Sequence, residues 1–389
     1  MSNTTLQGNW NYPNSIRAGA GRISELADAC RTMGMKRPLL VTDPQLAALP
    51  MVAAAVAQCA KADIYCAVFS GIKSNPTGDN IDAGLLAFTA GSHDGVIAMG
   101  GGSALDAGKA VALMAGQDRP LWDFEDVGDN WTRVNVAGMV PVIAVPTTAG
   151  TGSEVGRASV ITDLASEIKR IIFHPRMLPG QVILDPELTV GLPPHLTAAT
   201  GMDALSHNLE ALCARGWHPM ADGIALEGIR LIREYLPQAV TEGSNVVARM
   251  NMLAASAMGA TAFQKGLGAM HALAHPLGAL YDAHHGLLNA ILMPYVLKAN
   301  REAIEPVVQR AAAYIGLQEH SFTCFLDWIL ALRAEIGIPH SLAEIGINDG
   351  QLSRVADMAA VDPSAGGNPI AFHATQYAQI LQHAIVGEL

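Results

Sequence analysis

Two short segments of the sequence carry acidic and histidine side chains at spacings that suit a metal ion. Asp203 and His207 lie four residues apart in GMDALSHNLE, and His271 and His275 have the same spacing in HALAHPLGALYDAHHG. Residues four apart lie on one face of a helix, so each pair can converge on a single point. A carboxylate with two or three imidazoles is a suitable ligand set for divalent iron or zinc. The sequence therefore predicts a metal site, and a metal with an open coordination position can do chemistry.

An adjacent pair, His284 and His285, follows the second segment and could supply a further ligand from a loop. By spacing alone, either member of the pair could bind. Asp203 and His207 by themselves could also be an ordinary pair on a helix surface, and a single buried histidine such as His275 is more often a core residue than a ligand. The occurrence of both segments in one chain favours the metal site. The other histidines fit no such spacing and are predicted to be surface or core residues.

The composition is that of a compact globular protein in which half of the residues are hydrophobic and 15% are charged. A length of 389 residues predicts two domains. The net charge of −11 and the lack of a Lys/Arg cluster argue against nucleic acid or a membrane as a partner. The polar N-terminal segment, MSNTTLQGNWNYP, does not predict a signal peptide, and the Ala-rich runs 51–57 and 252–263 are too short to span a bilayer. The five cysteines are scattered without a CxxC, as in a reducing cytosol, so a cytoplasmic location is expected.

The first half of the chain alternates short apolar runs with Ala-rich, helix-like stretches. Strands are predicted at 37–43, 62–69, 95–100, 141–147 and 181–186. This alternation is typical of a doubly wound, mostly parallel sheet. Residues 152–174 interrupt the alternation and predict a hairpin.

After residue 194 the sequence has helical periodicity only. Helices are predicted at 196–214, 219–237, 245–264, 267–281, 286–299, 301–316 and 320–337. The predicted organisation is therefore an α/β domain at 1–190 followed by an all-α domain at 191–389, which contains all of the candidate metal ligands.

Two glycine-rich loops in the first half predict a nucleotide site. GVIAMG runs directly into GGSALDAGK, so a strand leads through residues 100–103 into a helix whose N-terminus could receive phosphate. The segment matches neither GxGxxG nor the Walker A motif, and a tight turn without a ligand is the alternative. A second loop, PTTAGTGSE at 146–154, follows the next strand and offers the hydroxyls of Thr147 and Thr148. Two such loops at strand carboxyl ends mark the place where open α/β sheets bind ligands.

Asp43 ends the predicted strand at 37–43. An acidic residue in this position can bind the ribose hydroxyls of NAD and repel the 2′-phosphate of NADP. The alternative for Asp43 is the N-cap of a turn in TDPQ. The sequence leaves both roles open.

Taken together, GGGSALDAGKAVA, PTTAGTGSEVGRASVITD, DPELTVGLP, TGMDALSHNLEA and HALAHPLGALYDAHHGLLNAILMP resemble the iron-containing (group III) alcohol dehydrogenases. The resemblance covers nearly the whole chain, in order. It implies a dehydroquinate synthase-like architecture, in which the domain at 1–190 binds a dinucleotide and the domain at 191–389 holds the metal and the substrate. It also implies a metal-dependent alcohol dehydrogenase. Such an enzyme transfers hydride between a small or medium alcohol or aldehyde and NAD(H), while the metal, Fe²⁺ or Zn²⁺, polarises the alcohol oxygen.

The resemblance also implies roles for particular residues. The implied metal ligands are Asp203, His207, His271 and His285, and the implied catalytic residue is His275, which lies beside the metal without binding it. The implied NAD-binding residues are Asp43, Asn75, Gly101, Gly102, Ser103, Thr147, Thr148 and Lys169. Asp106 matches an acid that the family has after the glycines. Phe263 and Gln264 would border the substrate pocket, in a segment one residue shorter than in lactaldehyde-type members. His284 stands where many members have proline.

Three other functions are compatible with parts of this pattern. A maleylacetate reductase-like enzyme would share the fold and the nicotinamide but typically lacks this metal set. A dehydroquinate synthase-like lyase, dependent on NAD and a metal, needs basic residues for a phosphorylated, carboxylated substrate, and the low Lys and Arg content disfavours it. A non-enzymatic metal- or nucleotide-binding protein is disfavoured by the two sites. The resemblance also implies a homo-oligomer, a dimer or larger.

Overall fold

A computed structural model describes residues 8–10 and 14–389. The N-terminal segment for which the sequence predicts no signal peptide lies outside the described residues, except for 8–10. The chain divides into two compact units, Met1–Thr148 with Gly152–Gly191, and Ala149–Thr151 with Leu192–Leu389.

The first unit is built on a seven-stranded sheet with the order β1-β2-β9-β6-β5-β3-β4. Its strands are β1 Gly8–Trp10, β2 Ser15–Ala18, β3 Pro38–Val41, β4 Ala67–Phe69, β5 Gly95–Gly100, β6 Val142–Pro146 and β9 Gln181–Leu184. All pairs are parallel except β1 with β2. The helices of this unit are α1 Leu26–Thr32, α2 Pro44–Ala47, α3 Pro50–Lys61, α4 Gly78–Ala90 and α5 Gly102–Met114.

Helices cover both faces of this sheet. On one face, α1 and α3 share a core with the strand residues Leu40 and Ile97. On the other face, α5 packs so closely that a Cβ on Gly108 would lie 2.6 Å from the Cβ of Ala98. Burial on both faces explains why β3, β5, β6 and β9 are continuous apolar runs, and the predicted doubly wound, mostly parallel fold is confirmed.

One predicted strand is shorter in the structure: the run 62–69 forms a strand only over Ala67–Phe69. Asp63, where the chain leaves α3, adopts a left-handed conformation (φ 59°). The edge strands β1 and β2 were not predicted.

The predicted hairpin is confirmed as a separate two-stranded antiparallel sheet, β7 Ala158–Asp163 with β8 Ile168–Phe173. Asp106 of α5 attaches it to the unit: Oδ2 accepts a hydrogen bond from the Val160 backbone N–H (2.9 Å), and the Ser159 hydroxyl donates to the Asp106 carbonyl (2.8 Å). Lys109 lies 3.2 Å from Asp106 Oδ1 and is almost fully buried. The family-matched Asp106 is thus part of a buried ion pair that positions the hairpin.

Within the described residues, no strand follows β9, and the second unit is helical. Its helices are α6 Pro194–Cys213, α7 Pro219–Thr241, α8 Val246–Ala262, α9 Ala269–Tyr281, α10 His285–Tyr314, α11 Phe322–Glu335, α12 Leu352–Val361 and α13 Ala374–Val386. The helices predicted at 286–299 and 301–316 form one helix, α10. Asn300, between the two predicted segments, is buried, and its side-chain amide donates to the Val296 carbonyl (3.2 Å). The helices α12 and α13 were not predicted.

One segment of the described residues, Val246–Lys265, is long and apolar enough to cross a membrane by length and composition alone. In its most apolar window 61% of the residues are buried inside the protein, and the core helices of folded proteins meet the same test. The segment includes α8, whose Leu253 and Ala255 belong to the apolar core of the second unit.

Candidate functional site

The long helix α6 presents one acidic and one imidazole ligand on the same face. Asp203 and His207 are separated by one helical turn, and both are buried. The helix α8 packs tightly behind them, since a Cβ on Gly259 would lie 3.0 Å from the Cβ of His207. The backbone that carries this pair is therefore held in the core of the second unit.

The helix α9 carries His271 and His275, again one turn apart. It ends at Asp282, which adopts a left-handed conformation (φ 51°) and turns the chain back toward α10. The helix α10 begins at His285, and His284 is its N-cap, with Nδ1 accepting the Leu287 N–H at 3.3 Å. The two adjacent histidines thus have different environments, which spacing alone did not resolve.

Gly286 explains how the first turn of α10 reaches α6. A Cβ at this position would lie 2.5 Å from the Ala199 carbonyl oxygen and 3.0 Å from the Cβ of Asp203. Any larger residue would push the two helices apart. The close approach brings His285 Nε2 to within 3.7 Å of Asp203 Oδ1.

The structure brings four of the predicted residues together: Asp203, His207, His271 and His285 each offer one ligand atom, and these atoms lie within 4.8 Å of one another. The amide nitrogen of Asn289, one turn beyond His285, lies 2.9 Å from Asp203 Oδ1 and 3.2 Å from Nε2 of both His271 and His285. The Asn289 amide therefore lies close to three of the four ligand atoms, and its N–H groups can donate to a carboxylate oxygen or to an unprotonated imidazole nitrogen.

Hydrogen bonds on the far side of two rings fit the same orientation. His207 Nδ1 lies 3.3 Å from the Gly150 carbonyl, and His271 Nδ1 lies 2.7 Å from the Glu210 carboxylate. A neutral ring that donates through Nδ1 has no proton on Nε2, which is the form that a metal requires. Burial lowers the pKa of His207 to about 4, so this imidazole is neutral at pH 7. Burial also lowers the pKa of His271, but the hydrogen bond and charge of Glu210 outweigh it and raise the pKa overall.

His275 lies beside these four residues and is not one of the converging set. Its ring is stacked on that of His285 at 5.5 Å between centroids. Nδ1 of His275 is 2.9 Å from Oδ2 of Asp362, and the side chain of Asp362 is 9% exposed. Nδ1 is therefore placed to donate to the carboxylate, which leaves Nε2 to accept a proton.

Sequence reasoning missed three residues of this site. Glu210 could have been found, because it follows His207 by three residues on the same helix face, and Asn289 follows His285 by four. Asp362 is 87 residues beyond His275 and has no local signal. Phe263 packs against His207 with ring centroids 5.1 Å apart, so it lies next to the cluster, where a substrate-pocket residue is expected.

In the first unit, the two glycine-rich loops lie side by side at the carboxyl edge of the sheet. The Thr147 N–H donates to the Gly100 carbonyl (2.9 Å), and a Cβ on Gly101 would lie 3.4 Å from Thr148 Oγ1. Gly100 has a φ of 147° and would place a Cβ 2.7 Å from that of Ala104, so only glycine fits this turn. Gly102 and Ser103 form the first turn of α5.

Asp43 follows β3, the strand next to β5. The strand order reverses between β3 and β5, and open α/β sheets bind ligands at such points. Oδ1 of Asp43 accepts from both Gln45 N and Leu46 N at 2.9 Å, so Asp43 is the N-cap of α2. Asp43 therefore has the N-cap role that the sequence allowed for it, and the cap uses one of its two carboxylate oxygens.

The remaining predicted cofactor residues meet at the hairpin. Lys169 of β8 donates to Asn75 Oδ1 at 2.8 Å, and the Ser103 hydroxyl donates to the Ser74 carbonyl. The loop that carries Ser74 and Asn75 is therefore bound both to α5 and to the hairpin. Asn75, Ser103 and Lys169, which are far apart in the sequence, lie in one region of this unit.

Comparison with known proteins gives the same assignment for both units. The family model described as iron-containing alcohol dehydrogenase matches residues 13–186, and the model of the C-terminal part of that family matches residues 197–385. Together these matches cover most of the chain.

Individual relatives match over nearly their full length. A 4-hydroxybutyrate dehydrogenase of Cupriavidus necator is 37% identical over 387 residues, covering 96% of this chain and 99% of the relative. An NAD-dependent methanol dehydrogenase of Bacillus methanolicus is 33% identical over 384 residues, covering 97% of this chain and 100% of the relative. The crystal structure of a 1,3-propanediol oxidoreductase superposes with a TM-score of 0.91 at 34% identity, covering 98% of this chain and 100% of that one.

Proposed function

Because this chain belongs to the iron-containing alcohol dehydrogenase family, we propose that it interconverts a small or medium alcohol and its aldehyde with NAD(H) as the hydride carrier. The observation that carries the proposal is the convergence of one carboxylate and three imidazoles within 4.8 Å. The domain at 1–190 would supply the dinucleotide site, and the domain at 191–389 would supply the metal and substrate site.

The donor set fits a divalent metal of the iron or zinc type. Asp203 brings a negative oxygen, and His207, His271 and His285 bring nitrogens whose lone pairs can face one centre. Oxygen and imidazole ligands suit both metals, and four protein ligands are few enough to admit a substrate oxygen. When bound, the metal would supply Lewis acidity toward the alcohol oxygen and so favour loss of the hydroxyl proton.

His275 is the residue we propose to carry that proton. Its Nδ1 is held by Asp362 at 2.9 Å, so its Nε2 can accept a proton from the substrate hydroxyl, directly or through a water, and pass it to solvent. In aldehyde reduction the same nitrogen returns the proton. Asp362 keeps the ring oriented through this hydrogen bond.

The dinucleotide would be bound by the side chains and loops at the carboxyl edge of the sheet. Gly101, Gly102 and Ser103 would receive the pyrophosphate at the N-terminus of α5, and Thr147 and Thr148 would line the cofactor. Lys169 and Asn75, joined at 2.8 Å, would lie beside it. Asp43 would select NAD over NADP through its carboxylate charge.

We also propose a cytoplasmic homo-oligomer. All five cysteines are free thiols, which is typical of proteins kept in a reducing compartment. Light scattering on the eluted peak of a size-exclusion column measures the mass directly. A mass near 40.8 kDa, that of one chain, would contradict the oligomer.

The test of the function uses purified protein with its metal content measured before and after chelation. A panel of alcohols and aldehydes, with 1,3-propanediol, 4-hydroxybutyrate and methanol among them, is assayed with NAD and NADP. We expect alcohol-dependent reduction of NAD that is lost with the metal and restored by Fe²⁺ or Zn²⁺. Purified protein that contains neither iron nor zinc, and whose activity is unaffected by chelators, would contradict the proposal.

A further inference from the structure

Glu210 is a buried carboxylate that binds three hydrogen-bond donors from one short segment. Oε2 accepts from Gly268 N at 2.8 Å and from His271 Nδ1 at 2.7 Å, and Oε1 accepts from Met270 N at 2.7 Å. The residue is 5% exposed. Donors within four residues of one another therefore converge on a single side chain from α6.

These contacts build the N-terminus of α9. The N-cap, Gly268, has no side chain to bind the N–H groups of the first turn, so Glu210 binds Met270 N and the Asn368 side chain binds Ala269 N at 3.0 Å. A Cβ on Gly268 would lie 2.8 Å from Asn368 Oδ1 and 3.0 Å from Glu210 Oε1, so both acceptors press against bare backbone. A carboxylate also interacts favourably with the positive end of the helix dipole.

The same carboxylate, that of Glu210, also orients the imidazole ring of His271. Oε2 is shared between Gly268 N and His271 Nδ1, so the position of the helix start and the rotation of the imidazole are set by one group. With Nδ1 donating to Glu210, Nε2 of His271 keeps its lone pair, and that nitrogen lies 3.2 Å from the Asn289 amide among the converging ligand atoms. A histidine whose far nitrogen donates to a carboxylate is also a more basic ligand.

The negative charge of Glu210 is a second reason to expect that this residue affects metal binding. None of the hydrogen bonds that the described residues make to it comes from a lysine or an arginine. Asp203 and Glu210 together place two buried carboxylates around imidazoles, and two negative charges would be balanced by one divalent cation. Asn368, by contrast, binds the start of the same helix through an uncharged amide, and its hydrogen bonds in the described structure go to Ala269, Asn300 and Ile370 and to none of the four converging side chains.

We propose that Glu210 is a positioning residue of the metal site, which sets the tautomer and orientation of His271 and strengthens metal binding through its charge. The inference rests on the proposed metal-dependent function. It predicts that Glu210 and Asn368, which cap the same helix, differ in their effect on metal affinity.

The experiment compares Glu210→Gln with Asn368→Ala as the matched cap variant. Zinc affinity is measured by competition with a chromophoric chelator, and the thermal midpoint is measured on the metal-free proteins. We expect Glu210→Gln to weaken zinc binding about 10- to 100-fold. Asn368→Ala should lower the thermal midpoint and leave zinc affinity within about threefold of the unmodified protein. Equal zinc affinity in Glu210→Gln and the unmodified protein, or equal losses in the two variants, would overturn the inference.

A second measurement does not depend on how well either variant folds. The metal-free native protein is labelled with ¹⁵N-histidine, and its ring nitrogens are assigned by NMR, because a metal on Nε2 would by itself leave the ring proton on Nδ1. We expect His271 to carry a proton on Nδ1; a proton on Nε2 alone would contradict the role of Glu210. If the unmodified protein binds no zinc or iron at all, the proposed function itself fails, and this result is distinct from metal binding that is indifferent to Glu210.

Discussion

Nδ1 of His275 lies 2.9 Å from Oδ2 of Asp362, a residue 87 positions further along the chain. Burial alone would raise the pKa of Asp362, but the charge and hydrogen bond of His275 outweigh burial and hold the pKa below its usual value. The other oxygen of Asp362, Oδ1, accepts the Ser364 N–H at 2.8 Å. The carboxylate is therefore anchored on one side and orients an imidazole on the other.

The first prediction follows from this anchoring. In Asp362→Asn the amide oxygen should stay on the Ser364 N–H, so the NH₂ group would face His275 Nδ1 and force its proton to Nε2. His275 could then no longer accept the substrate proton, and we expect kcat for alcohol oxidation to fall about 100-fold with metal content unchanged. Asp357→Asn, an exposed position on α12, is the matched control. Unaltered kcat in a fully metal-loaded Asp362→Asn protein would refute the relay.

The adjacent residues His284 and His285, at the start of α10, allow a matched test of the metal site. We expect His285→Ala to lose at least about 90% of the bound metal and of the activity, because it removes one of the four converging ligand atoms. His284→Ala should keep both, since Nδ1 of His284 caps the helix, and its loss should cost only about 1 kcal/mol of folding stability. Metal is counted per chain by elemental analysis. Loss of metal in His284→Ala but not in His285→Ala would show that His284, and not His285, binds the metal.

Much of the metal site could be predicted because its ligands lie on regular helices. The spacing of four residues puts Asp203 with His207 and His271 with His275 on common faces whatever the rest of the chain does. What spacing could not provide was the choice between His284 and His285. That choice depends on Asp282, whose left-handed conformation ends α9, and on where α10 begins.

The parts that sequence could not predict depend on contacts between distant segments. Asp362 reaches His275 from a turn after α12, a helix that the periodicity did not predict. In the first unit the strands β3, β5 and β6 were predictable as buried apolar runs, whereas the contact of Lys169 with Asn75 depends on how the hairpin packs on its own unit. Long-range pairing of this kind leaves no periodic signal along the chain.

Cofactor preference tests the role of Asp43. Since Asp43 is also the N-cap of α2, Asp43→Asn is the informative change: it keeps a capping oxygen and removes only the charge. We expect the ratio of kcat/KM for NADP to that for NAD to rise about tenfold, because the 2′-phosphate no longer meets a carboxylate. The thermal midpoint should stay near that of the unmodified protein and Asp43→Ala should lower it. A ratio unchanged by Asp43→Asn would remove Asp43 from the cofactor site.

Glu154, in the second glycine-rich loop, gives the protein a predicted dependence of stability on pH. Burial raises the pKa of this carboxyl to about 7, and the nearby Lys109 offsets only part of the effect. Below pH 4.5 the carboxyl is protonated in both the folded and the unfolded chain, so it has no effect. Between pH 4.5 and 7 the unfolded chain loses the proton first, and the folded state is destabilised increasingly, by about 3 kcal/mol in total.

Glu154→Gln should remove this dependence. We expect the free energy of unfolding of the metal-free variant, relative to that of the unmodified protein, to increase by up to about 3 kcal/mol between pH 5 and pH 8. Urea denaturation at both pH values measures the difference. The exposed Glu319→Gln is the control, because its carboxyl is in water in both states and the same difference should stay within about 0.5 kcal/mol. If the free energy of unfolding of Glu154→Gln, relative to that of the unmodified protein, is the same at pH 5 and pH 8, the pKa of Glu154 in the folded protein is not raised, and the prediction is wrong.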